Sequence, residues 1–466
     1  MMTIEHPGEA RSNAIRRAID EREPVALRTY TPTQVAIARS AGVFHWTADG
    51  RKLYDYTSGV LVANLGHNPI EWQRRFLGYM GWLEIPEGPG YFESVPLTTY
   101  NAMAGIEADA VRRLVANLQS RPGGKRLEQI MWAASGSEAI QKALWASLAV
   151  DTGRDLVLAT RDGFHGKKGL AEAVTGSERD KNRDPRVRFI SFPKDECRDL
   201  SLRDAPFDPA PYRAELDAIA SEGRGIACLI TEPYLGGGGS YHPPAAYLQM
   251  LQDFCRRHGV VFILDEIQSN FGRTGHMYAF ETYGLEPDVV ILGKGLGNGV
   301  PAACAAGCAG VFGALGYGEA SDTFSANPLC CAAVLATLDV FEGDDVLPGA
   351  RKSSAIIEDG LVALKELPFV AHVRGEKGGM VWGVEVTGFA GKTANEMANA
   401  CVLSAYLGDD SGRAVHLMGP LAKNVLRIAP PLTMTEAEAR DSIAALSACF
   451  EKLQQQLAET SATTTT

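Results

Sequence analysis

The chain lacks a membrane-length apolar run, a surplus of basic residues and any cysteine framework. It has 466 residues with 45 Lys+Arg against 56 Asp+Glu, a formal net charge of −11. A negative overall field opposes binding to phosphate backbones, so nucleic acid is not an expected partner. No uninterrupted apolar stretch reaches the ~20 residues that a spanning helix needs, so no membrane partner is expected either. The first residues, Met1-Met2-Thr3-Ile4-Glu5-His6-Pro7, do not carry the basic-then-apolar pattern of a secretory leader. The nine cysteines, at positions 197, 228, 255, 304, 308, 330, 331, 401 and 449, form no zinc-like CxxC pair. An odd, scattered count reads as reduced thiols, and a cytoplasmic location is the expectation. No internal repeat is present. Only the threonine-rich end is of low complexity, and residues 459–466 are expected to be a disordered tail.

What is present reads as a globular α/β chain. Hydrophobic content of 45% and charged content of 22% are ordinary, and the length allows two or more domains of ~100–200 residues. From about residue 125 to 310, apolar runs such as Leu156-Val157-Leu158-Ala159, Ile226-Ala227-Cys228-Leu229-Ile230 and Val260-Val261-Phe262-Ile263-Leu264 alternate with helical stretches. That alternation predicts a mostly parallel sheet covered by helices. After Pro328 the pattern changes to a long helix, Leu329 through Phe341, and then to an α+β region with strands near 373–375 and 380–386.

Three places on this framework carry candidate chemistry. Lys294 ends the apolar run Val289-Val290-Ile291-Leu292-Gly293 and precedes Gly295-Leu296-Gly297-Asn298-Gly299. Such a lysine either snorkels to the surface or serves as an amine nucleophile whose pKa desolvation lowers. Asp265 follows a run of five large apolar residues, at the carboxyl end of a central strand, where open α/β sheets hold ligands. It either caps the next helix or pairs with a buried cation such as a pyridinium nitrogen. Ser135-Gly136-Ser137 joins the strand-like Ile130–Ala134 to a helical run. It is either a plain serine cap or a phosphate cradle built from first-turn amides and hydroxyls.

Together with Leu264-Asp265-Glu266-Ile267-Gln268-Ser269-Asn270-Phe271-Gly272-Arg273-Thr274-Gly275 and Thr323-Phe324-Ser325-Ala326-Asn327-Pro328-Leu329, these segments resemble the signatures of class III aminotransferases. These are the ornithine- and GABA-type enzymes that depend on pyridoxal 5′-phosphate (PLP). The likeness runs from Asp49-Gly50-Arg51 to Leu426-Arg427-Ile428-Ala429-Pro430-Pro431. It implies PLP fold type I, the aspartate aminotransferase-like arrangement. In this arrangement a large PLP-binding domain, here 66–330, accompanies a smaller α+β domain made from both chain ends, here 1–65 and 331–458.

The resemblance also implies roles. Lys294 holds PLP as a Schiff base and carries the proton. Asp265 keeps the pyridine nitrogen protonated, and Gly136 and Ser137 bind the phosphate. Phe164 stacks on the ring with His165 beside it, and Gln268 lies near the phenolic oxygen. Thr323 reaches the phosphate of a neighbouring subunit, which implies a homodimer or a dimer of dimers. Arg427 occupies the position of the carboxylate-binding arginine, although a structural salt bridge is the other reading. Glu232 is a supporting hydrogen-bonding residue.

The expected activity is transfer of an amino group from an amino acid or amine donor to a keto acid, by a ping-pong cycle. Two departures qualify the likeness. Ser325-Ala326 replaces a double glycine, and Gly237 stands where ornithine and GABA enzymes carry a glutamate that masks the arginine. Asn298 is similar to the alanine:glyoxylate and β-amino-acid branch. A decarboxylating transaminase, an aminomutase or a lyase on the same fold is the alternative, and a PLP-binding scaffold without turnover is a rival of another class.

Overall fold

The computed structural model describes residues 4–181, 183–343, 345–420 and 422–464. It divides into two compact units. The larger comprises residues 70–197 and 201–345; the smaller comprises 1–69, 198–200 and 346–466.

The larger unit is built on a seven-stranded sheet. Its spatial order is Gln129–Ala133, Ala303–Gly307, Val289–Leu292, Val261–Asp265, Ile226–Thr231, Leu156–Thr160 and Val187–Ile190. Ala303–Gly307 runs antiparallel to both of its neighbours, and the remaining pairings are parallel. The central strands are buried along their whole length, as expected of continuous apolar runs covered on both faces. The sheet is therefore mostly parallel, as the alternation of runs predicts. Ala303–Gly307 is a strand the apolar-run pattern does not reveal, because Ala303, Cys304, Ala305, Ala306 and Gly307 are all small. Ala303 and Ala305 pack in one core cluster with Ala139, Ala143 and Ala146 of the helix Gly136–Val150. Small residues on both sides let that helix approach the sheet closely.

The long helix expected from 329 to 341 spans Pro328–Gly343. It belongs to the larger unit rather than opening the C-terminal domain at 331. Apolar residues surround it on nearly every face, so it must be covered all round. It packs against the helices Ile70–Met80 and Gly105–Gln119. Trp72 Nε1 donates to Thr337 Oγ1 at 2.9 Å, and Tyr79 Oη donates to Asp339 Oδ2 at 2.8 Å.

The smaller unit carries two sheets. Ile37–Ala41, Phe44–Thr47, Lys52–Asp55 and Val415–His416 form one, and Val370–Gly375, Trp382–Val386 and Val425–Ile428 form the other. Both chain ends contribute to it. Its last helix, Glu436–Thr464, continues into the stretch expected to be a disordered tail. Thr465 and Thr466 lie outside the described residues. Threonine and serine are only mildly unfavourable in helices, so an established helix can extend through them. Among the described residues no helix is long and apolar enough to cross a membrane.

The close approach of helix and sheet gives a stability test. Ala305 is fully buried, so Ala305→Leu should overpack the interface and cost about 1–3 kcal/mol. A lower denaturant midpoint for the larger unit checks this; an unchanged midpoint would show spare room beside Ala305.

Candidate active site

A cavity of about 220 Å³ lies at the carboxyl ends of Val261–Asp265 and Val289–Leu292. Its walls include Gly136, Ser137, Phe164, His165, Glu232, Asp265, Gln268 and Lys294. Eight of the ten residues singled out from the sequence thus come together around one space. This is the edge where a parallel sheet presents its strand-end loops.

Asp265 is 3% exposed. Its Oδ1 accepts from the Ile267 amide at 3.0 Å, and its Oδ2 lies 2.7 Å from His165 Nδ1. That amide bond closes a turn over 267–270 and caps no helix, so the helix-capping reading of Asp265 does not hold. His165 touches Asp265 directly, and its Nε2 is buried without a hydrogen-bond partner among the described residues. Glu266, the next residue, turns the other way. Its two carboxylate oxygens accept from Ala279 N at 2.6 Å and Phe280 N at 2.7 Å, capping the helix Ala279–Tyr283.

Lys294 enters the site through a bend. Gly293 is extended, whereas Lys294 has φ 46°, in the left-handed region that costs a non-glycine residue free energy. Asn270 Nδ2 donates to Gly293 O at 3.2 Å and also to Glu266 O. It therefore ties the Lys294 segment to the segment that follows Asp265.

At the Ser-Gly-Ser turn the serine-cap reading holds. Ser135 is the cap, its Oγ accepting from Glu138 N at 3.4 Å while Glu138 Oε2 accepts from Ala134 N at 2.9 Å. Gly136 and Ser137 then form the first helical turn, whose amides have no partner within a helix. Gly166, at φ +143°, faces Ser137 so closely that a Cβ would collide with its Oγ and Cβ. Phe164 is held by its backbone: its amide donates to Glu232 Oε2 at 2.8 Å, and Gly236 N donates to Glu232 Oε1 at 3.2 Å. Burial pushes the Glu232 carboxyl up to about 7, against the pull of these two amides.

Thr323 is not among the walls of this cavity, and Arg427 belongs to the other unit. Thr323 is exposed on the larger unit. Arg427 is buried in the strand Val425–Ile428 of the smaller unit, opposite Gly383. The sequence reading missed the residues that fix the Thr323 segment. Lys142 Nζ, buried, donates to Trp132 O at 2.6 Å, Asp322 Oδ2 at 2.6 Å and Ser325 Oγ at 2.8 Å. Asp322 Oδ1 in turn accepts from Phe324 N and Ser325 N at 3.0 and 2.7 Å. The available signal was a lysine between the apolar helix positions Ile140, Ala143 and Leu144. Asn270 and Ile267 were likewise visible only as parts of a motif.

Known proteins with related sequences and folds support a single family. Residues 94–450 match the model of the family described as Aminotransferase class-III. The acetylornithine aminotransferase of Streptomyces coelicolor is 30% identical over 93% of this chain and 94% of its own length. The 4-aminobutyrate aminotransferase of Escherichia coli is 29% identical over 96% of this chain and 98% of its own. Among solved structures, a PLP-bound amine transaminase from an uncultivated Pseudomonas species superposes with a TM-score of 0.74. It shares 24% identity and covers 97% of this chain and 99% of its own. The chain belongs to the class III aminotransferases, PLP-dependent transferases of nitrogenous groups that act on an amino donor and a keto acid.

Proposed function

We propose that Lys294, Asp265 and the residues around them carry out this transamination, with Arg427 holding the carboxylate of the substrate. The observation that carries the reading is the convergence of a lysine, a buried carboxylate and a helix amino terminus on one cavity. The cavity suits PLP chemically. First-turn amides at Gly136 and Ser137 match a phosphate, the Asp265 carboxylate matches a protonated ring nitrogen, and the buried His165 Nε2 leaves a donor or acceptor unused.

When bound, PLP supplies a carbonyl that takes up an amine and a conjugated ring that accepts the electron pair left by a departing proton. The chain supplies the rest. Lys294 Nζ would be the amine that holds the cofactor and the base that carries the proton. Asp265, fixed by the Ile267 amide and His165, holds a positive charge at the ring nitrogen. Phe164 forms an apolar wall, and Glu232 positions it through the backbone. Gln268, on the cavity wall, would hydrogen-bond the phenolic oxygen. The cycle has two half-reactions, donor first and keto acid second.

The relatives are named for acetylornithine and 4-aminobutyrate, each of which carries a carboxylate and a distal amine. Here Gly237 has no room for a masking side chain without a shift, since a Cβ there lies 3.1 Å from Phe164 Cβ. An arginine that stays unmasked suits an amino acid donor with its carboxylate held in both half-reactions. A homodimer is also part of the proposal. Leu83, Ile85, Leu97, Tyr100 and Met103 are all more than half exposed in one stretch, and Phe324 is 62% exposed beside Thr323. A second copy covering this surface explains that exposure and brings Thr323 to a neighbouring cavity. A cytoplasmic location fits the nine free thiols.

Two results test these assignments. In a donor-by-acceptor panel, Lys294→Ala should cut turnover by about 10²–10⁴-fold or more. Arg427→Ala should chiefly raise KM for the keto acid. Undiminished turnover in Lys294→Ala, or carbon dioxide released in step with amino transfer, refutes the proposed reaction.

The second test uses Glu232. Its pKa is higher in the fold, about 7, than the ordinary 4.5, so the protonated form stabilises the fold. That contribution is full below about 4.5 and is lost as pH rises through about 7. The cofactor-free protein should lose stability over this window, by something on the order of 3 kcal/mol. The loss should be absent in Glu232→Gln; denaturant midpoints across pH read it, and an identical slope in the variant contradicts the assignment.

A further inference from the structure

Outside the cavity, the smaller unit gathers four residues whose chemistry the transamination does not use. His45 lies on the strand Phe44–Thr47, Asp55 ends the strand Lys52–Asp55, and His416 ends Val415–His416. His67 is held by a two-way backbone bridge to Gly42, with bonds of 2.8 and 2.9 Å. Asp55 and His416 are direct register partners in the parallel pair. The backbone ladder therefore fixes all four positions.

The side chains of His45, Asp55 and His67 converge, and His416 borders them. One ligand atom each from His45, Asp55 and His67 lies within 4.8 Å of the others. His67 Nε2 is 2.8 Å from Asp55 Oδ2, and His45 Nε2 is 3.4 Å from Asp55 Oδ1. Asp55 is fully buried and His45 is 3% exposed.

A hydrogen-bond hub on Asp55 accounts for part of this. Its Oδ1 accepts from Thr57 N and Thr57 Oγ1, each at 2.7 Å, and its Oδ2 pairs with His67. It does not account for the other two rings. The His45 separation of 3.4 Å is long for a hydrogen bond. His416 Nδ1 is buried with no hydrogen-bond partner among the described residues, 3.9 Å from Asp55 Oδ1. Metal bonds of about 2.0–2.1 Å in a tetrahedral site put neighbouring ligand atoms ~3.3 Å apart; the His45 spacing matches this, and the His67 and His416 rings reach it by moving about half an ångström. The outer ring nitrogen of His45 is also anchored, with Nδ1 2.7 Å from Ser40 Oγ. Such an anchor can fix the tautomer that leaves Nε2 free to bind.

We propose that His45, Asp55, His67 and His416 form a site for a divalent transition-metal ion of the zinc type. Three imidazoles and one carboxylate match the ligand preference of such an ion and leave no position open for substrate. The role is structural: the ion clamps the amino-terminal strands to the strand that arrives from residue 415.

Zinc titration of the PLP-loaded protein tests the site, using equilibrium dialysis with metal analysis. One zinc per chain should be retained at micromolar free metal, and thermal stability should rise. His67→Gln and His416→Gln should each weaken binding at least about 10-fold, with circular dichroism confirming that they fold. Cobalt(II) in the unmutated protein should give the intense visible bands of four-coordinate geometry. Substoichiometric zinc, equal zinc retention by both variants, or only the faint cobalt spectrum of six coordination overturns the proposal.

Discussion

Asp265 is an anion 3% exposed at the end of a strand, and taking such a charge out of water costs several kcal/mol unless partners replace the water. The Ile267 amide and the His165 ring are the partners the fold provides. Much of the larger unit serves to hold these groups. The strand that delivers Asp265 is buried on both faces. Glu266 turns away to cap a helix, and Asn270 reaches across to Gly293 so that Lys294 leaves its strand at a fixed angle. A buried carboxylate favours a positive charge nearby, which is the property a pyridinium-binding site requires.

The same logic separates what the sequence made legible from what it did not. Strands such as Val261–Asp265 and Ile226–Thr231 announce themselves because a doubly covered strand is apolar at every position. Lys294, Asp265 and Ser135-Gly136-Ser137 stand out because a charged or small polar group at the end of such a run breaks the pattern. Ala303–Gly307 does not stand out. Its burial depends on the helix that packs on it, not on its own hydrophobicity. The helix Pro328–Gly343 was recognisable as a helix, but its side of the domain division depends on partners about 220–260 residues away, Tyr79 and Arg113 pairing with Asp339. Lys142 shows the same limit: a lone lysine in an apolar helix reads as an anomaly until Asp322 and Ser325 are seen beside it.

The smaller unit rests on buried charge of a different kind. Glu385 accepts from Arg374 and Arg198, each at 2.7 Å, in the unit that also carries Arg427. Burial pushes the Glu385 carboxyl up, but the two guanidinium groups outweigh it and hold it below its ordinary range. The pairing compensates the buried Arg374 guanidinium of that sheet. Next to Asp55, residues 58–61 all have positive φ, and Thr57 Oγ1 accepts from Gly59 N at 3.0 Å. A turn of that kind survives only where its surroundings over-determine it, and the Asp55 bonds to Thr57 form part of those surroundings.

The central claim is that Lys294 is the amine through which this class III aminotransferase holds its cofactor. Borohydride reduction of the PLP-loaded protein, followed by peptide mapping, tests it directly because reduction makes the lysine linkage permanent. One pyridoxyl group per chain on Lys294 is the predicted result. A label on Lys142, Lys167 or Lys168, or no label on a fully loaded protein, contradicts it.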